Sequence, residues 1–147
     1  GIVIGDLDNT NIDRNQLILS LINITEEDNL GKISLGRKSG FELADQTFVL
    51  ELDVLISAHY SSNNYLEGIA AVDRILQAAR SDVSFSQADS ELPKGVEKIT
   101  LEFVNIDSDK IIQFWQAANT FHKPSLLYRV RMVCYANTDR VTPLPSL

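Results

Sequence analysis

The chain has 147 residues, 44% of them hydrophobic and 22% charged, with a formal net charge of −7. That composition can bury a core unaided and excludes a disordered chain. The single Cys134 excludes an internal disulfide, and no apolar run reaches the ~18 residues of a membrane-spanning helix. The acidic balance argues against a nucleic-acid partner, which needs a basic footprint, and no membrane contact is expected of this chain. Length predicts a single α/β domain over residues 1–140 and a C-terminal arm over 141–147, where two prolines interrupt any periodicity. The chain begins on Gly1 and so reads as trimmed or processed, with no signal peptide visible.

Ile2 to Ile4 is a short candidate strand. Residues 16–24 (QLILSLINI) are β-branched and aliphatic with no helical gaps, which predicts a strand, broken by Glu26, Glu27, Asp28 and Asn29. Gly31, Gly36 and Gly40 punctuate a polar, basic loop from Leu30 to Phe41. From Phe48 to His59 an apolar set (Phe48, Leu50, Leu52, Val54, Ile56, Ala58) alternates with a mixed one, the pattern of a half-buried strand. Residues 61–64 offer N-caps for a helix running to about Arg80. Its stripe is Tyr65, Ile69, Val72, Leu76 and Ala79, and Ile69, Val72 and Leu76 are expected to bury against the preceding strand.

Residues 82–95 read as a long connection closed by Pro93 and Gly95. Lys98 to Ile106 alternates again, with Ile99, Leu101 and Phe103 inward. Asp107, Ser108 and Asp109 open a second helix carrying Ile111, Ile112, Trp115 and Ala118, which Lys123–Pro124 ends. Leu126 to Ala136 is the last strand. The expected fold is an α/β two-layer sandwich, a small mixed β-sheet with two main helices on one face.

Five features bear on chemistry. Ile2–Gly5 followed by Asp6-Leu7-Asp8-Asn9-Thr10 resembles the strand-end D-x-D-x-T of Mg²⁺-dependent phosphohydrolases, in which two carboxylates at i and i+2 share a site. No second acidic cluster follows, and turn chemistry explains the same residues without a metal. Gly31 to Ser39 falls short of a phosphate-binding loop because Arg37 separates Gly36 from Lys38. His59 and His122 lack partners at ligand spacing, Cys134 reads as a buried thiol, and Trp115 reads as core. No catalytic residue, metal ligand or cofactor site is assigned.

Charge is uneven: residues 1–58 carry ten acids and four bases, a net of −6, while Lys123, Arg129, Arg131 and Arg140 near the other end face only Asp139. If copies meet head to tail, Arg129 and Arg131 supply counter-charge for the acidic half, with Glu51 and Asp53 as the acidic candidates.

The strand Glu51–Ala58, the helix Tyr65–Val72, the stretch Phe114-Trp115-Gln116-Ala117-Ala118 and the run Lys123 to Val130 come in the order of a known family. Over about residues 15–135 the chain resembles the cap, or tail-terminator, proteins of phage-tail-like contractile injection systems. Members usually carry a helix ahead of the first strand, which this sequence does not show. The resemblance implies a structural protein without cofactors: a homo-oligomer, as a hexameric ring, on the distal end of the inner tube and contractile sheath. Such a ring ends polymerisation and fixes length, and its subunits assemble in the cytoplasm before becoming part of the particle. The alternatives are a metal-dependent phosphohydrolase using Asp6 and Asp8, or an adaptor that caps nothing.

Overall fold

Among the described residues, alternation and helical spacing resolve into six strands and two helices. In chain order these are β1 (Ile2–Ile4), β2 (Gln16–Glu26), β3 (Thr47–His59), α1 (Tyr65–Ala79), β4 (Val83–Ser86), β5 (Val96–Val104), α2 (Ser108–Ala117) and β6 (Ser125–Tyr135), with a 3₁₀ turn at Ser62–Asn64 before α1. The structure, a computed structural model, describes residues 2–7, 15–27, 47–88 and 91–135. Asp8, the Gly31–Ser39 segment, Arg140 and the arm at 141–147 lie outside the described residues. The sheet is mixed and six-stranded, in the order β1-β2-β3-β6-β5-β4, with β1 parallel to β2. The fold is α/β, as the alternation of strand and helix patterns implies.

Two compact units are distinguishable, and each is assembled from three segments of chain. The first comprises Gly1–Asn23, Leu52–Val83 and Leu101–Arg129, and so holds both helices. Its core gathers Leu17, Ile56, Ala58, Ala71, Leu126 and Tyr128, with Val72, Ile75, Leu76, Leu101 and Phe103 packed around them. The Tyr128 hydroxyl donates to the Ala79 carbonyl at 3.1 Å, tying β6 to the end of α1. From Val54 to His59 every residue of β3 is buried, so this stretch is covered on both faces.

In α1 the wholly buried positions are Gly68 and Ala71, while Ile69 is 41% exposed. The expected inward stripe is thus turned by about one position, leaving Val72 and Leu76 at its margin and Ile69 in solvent. Gly68 explains the turn. A Cβ there would lie 3.1 Å from the Tyr60 ring, so the helix approaches at the one residue lacking a side chain.

The second helix stops sooner than its proline implied. α2 ends at Ala117, and Asn119, at φ 57°, adopts the left-handed conformation that closes helices. The Asn119 N–H donates to the Gln116 carbonyl at 3.0 Å. Pro124 instead marks the entry to β6, where its carbonyl accepts from the Ala58 N–H at 2.9 Å. Trp115, 1% exposed, is core as expected.

The second unit comprises Ile24–Glu51, Ser84–Thr100 and Val130–Leu147. Among the described residues, Val49, Val96 and Cys134 are its buried apolar side chains. Residues 82–95, expected as a connection, include β4, held by a Ser84–Thr100 hydroxyl contact at 3.3 Å and a Gln87 amide donating to the Val96 carbonyl at 2.7 Å. Gly95 turns the chain into β5 at φ 91°, and its carbonyl accepts from the Tyr135 N–H at 2.9 Å.

Candidate functional site

Neighbouring strands β3 and β6 bring opposite charges together, because residues two apart on a strand share a face. In the first unit Arg129 Nε lies 3.6 Å from Asp53 Oδ1, both side chains about a third exposed or more. In the second unit Arg131 donates through Nε and Nη2 to Glu27 Oε2, at 3.1 and 2.6 Å, with Glu51 Oε1 at 3.9 Å. Arg129 meets Asp53 and Arg131 meets Glu51, so numbers rise on β6 as they fall on β3 and the pair is antiparallel. The residues singled out as interface candidates are therefore paired within one chain, Arg129 with Asp53 in the first unit and Arg131 with Glu51 in the second. Glu27, next to the end of β2, joins Arg131 in the second unit.

Asp6 is exposed, just past β1. Among the described residues no three His, Cys, Asp or Glu side chains gather at metal-binding distances. A groove of about 590 Å³ lies beside Asp6, with Ile4, Leu7, Leu21 and Ile22 among its lining.

A buried polar pair escaped the sequence reading. Ser57 Oγ lies 2.9 Å from His59 Nε2 and 3.5 Å from the Ile18 carbonyl, while His59 Nδ1 is buried without a partner among the described residues. A proton on Nε2 gives the relay that uses both hydrogens: imidazole to Ser57, Ser57 to Ile18. Only a lone pair on Nδ1 is then left unsatisfied. Burial first, and the charge of Lys123 second, push the His59 pKa down to about 4. The pair resembles nucleophile and base, but Ser57 is 0% exposed and the imidazole in this arrangement donates to the hydroxyl. Its visible role is to satisfy polar atoms inside the sheet. Its signal in the sequence was a Ser and a His two apart on the mixed face of β3. Cys134 is buried as expected, with its S–H directed at the Met132 carbonyl at 3.8 Å and its thiol pKa raised by burial.

A family model, the Pvc16 N-terminal domain, matches residues 4–146. The chain belongs to the Pvc16 N-terminal domain family. Two solved structures share the fold of these Pvc16-type domains. One is the sheath/tube terminator, in its extended state, of an extracellular contractile injection system called PVC. It matches at a TM-score of 0.51 and 16% identity, over 92% of this chain and 50% of that one. The other is the tube-terminating cap of the anti-feeding prophage, at a TM-score of 0.53 and 14% identity, over 91% of this chain and 47% of that one. The present chain thus spans about half the length of each. Comparison with curated proteins finds no match. The cap family of contractile injection systems is the family that the order of the pieces from Glu51 to Val130 resembled.

Proposed function

We propose that this chain is a structural cap domain that, as one of six copies in a ring, closes the distal end of the tube and sheath of a contractile injection particle. In that role it ends polymerisation and fixes length, with the tube and sheath proteins as its partners and no reaction to catalyse. The observation that carries the reading is the family match over residues 4–146, supported by two terminators that share the fold. Residues 1–140 act as one domain with 141–147 as a contact arm. The chain assembles in the cytoplasm and then stays with the particle. Arg129, Arg131, Glu51 and Asp53 face the adjoining subunit as a charge-paired surface, which docks without burying a lone charge.

Native mass spectrometry tests the ring. Six copies of 16.4 kDa give a species near about 98 kDa, whereas a monomer at every concentration would remove the ring from the reading. Electron microscopy of particles carrying a tagged copy should show label at one end only, and label along the shaft would refute a cap.

A further inference from the structure

β1 covers only the start of β2. Their register runs Ile2↔Leu17, Val3↔Ile18 and Ile4↔Leu19. The Gly5 N–H closes the pairing on the Leu19 carbonyl at 3.1 Å, and the Ser20 hydroxyl donates to the Gly5 carbonyl at 2.7 Å as the chain turns away. β2 continues to Glu26. In a strand the N–H and C=O of one residue point to the same edge, and successive residues alternate edges. Leu19, Leu21 and Asn23 therefore present their main chain towards β1, and Ile22 presents its own towards β3. β1 is the outermost strand on that side, so past Ile4 no described strand lies beside Leu21 and Asn23.

Two apolar side chains beside this gap stand in solvent, Ile4 at 82% exposure and Leu21 at 50%. Together with Leu7, Ile22 and Ala118 they line the groove beside Asp6. Asp6 is the ionisable side chain of that lining, and no lysine or arginine joins it among the described residues.

We propose that this edge accepts an extended strand of a partner protein, one that alternates apolar side chains with lysine or arginine. The main chain that no described strand pairs calls for a strand, the exposed leucine and isoleucines call for apolar side chains, and Asp6 in the groove lining calls for a base. The described edge strands of this chain, Ile2–Ile4 and Val83–Ser86, carry no basic residue, so a second copy meets the charge requirement poorly. The inference stands on the edge and not on the cap reading, which the mass and labelling measurements test separately.

The probe is the peptide acetyl-Lys-Val-Thr-Val-Lys-Val-amide, titrated into the isotopically labelled full chain with amide exchange followed by NMR. Saturable binding should slow exchange at Leu21 and Asn23 about tenfold at about 90% occupancy, and leave Ile22 unchanged. Replacing both lysines by glutamate should weaken binding severalfold at low salt, and Asp6→Lys, at an exposed position, should reverse the preference by about threefold. Absence of saturable binding overturns the proposal, as does protection confined to other residues. Protection of Leu21 and Asn23 that rises with protein concentration and needs no peptide would assign the edge to a second copy and equally overturn it.

Discussion

His59 ties stability to pH. Its folded pKa of about 4 lies below the ordinary 6.5, so between those values the unfolded chain binds more protons than the folded one. Its contribution is fully present above pH 6.5 and is lost as pH falls from 6.5 through 4. At 5% exposure little solvent screens the group, and the whole effect is on the order of 3 kcal/mol. Urea unfolding at pH 7, 6 and 5 should show wild type losing stability that His59→Gln retains, and parallel losses in the two proteins would remove the buried neutral imidazole. Trp115 poses a second test, because its buried indole N–H has no partner among the described residues. Trp115→Ala should cost ~3–5 kcal/mol, and Trp115→Phe much less than its lost area suggests, since it also removes an unsatisfied donor worth ~1–3 kcal/mol. Equal losses in the two variants would mean that the N–H is satisfied.

At the scale of elements, α1 is seated by a gap in its own surface. An exposed helical Gly→Ala change stabilises by ~0.5–1 kcal/mol, but at Gly68 the new methyl meets Tyr60, so that gain should vanish and Gly68→Val should cost ~1–3 kcal/mol. A raised melting temperature for Gly68→Ala would place α1 farther from Tyr60. At the other helix Asn119→Gly should be neutral or stabilising and Asn119→Val should cost ~1–3 kcal/mol, because a β-branched side chain resists positive φ.

Long alternation was legible: residues 16–24, 48–59 and 126–136 each match a strand to within a residue or two. β4 was not, because four residues reading Val-Ser-Phe-Ser give a period-2 pattern no length to declare itself. The rotation of α1 was hidden for another reason, since counting apolar residues cannot see a seam made by Gly68 and Ala71. Pro124 drew the helix boundary away from Asn119, whose left-handed backbone depends on its surroundings. Arg129 and Asp53 were both chosen from the sequence, but their pairing was not visible, since 76 positions separate them and only strand order joins them.

For the molecule as a whole, those pairs move a surface question into the fold. Arg129→Glu with Arg131→Glu sets two new carboxylates against Asp53, Glu51 and Glu27, so the isolated chain itself should lose stability, by ~1–2 kcal/mol and more at low salt. Adding Glu51→Lys and Asp53→Lys should recover most of that loss. No recovery would show that the arginines matter through contacts other than these pairs.

The strand order also governs how the protein is made. β6 lies between β3 and β5 in the sheet yet follows both in the chain. On the ribosome, β3 and β5 are each complete and each lacks a neighbour until residue 135 has left the exit tunnel. Through that interval the nascent chain carries two strands with one bare edge each, edges that can pair with strands of adjacent chains on the same message. Each compact unit, moreover, draws on three separated segments, so neither can finish early and shelter the other. Folding must wait for β6, and slower synthesis lengthens the wait that chaperones have to cover.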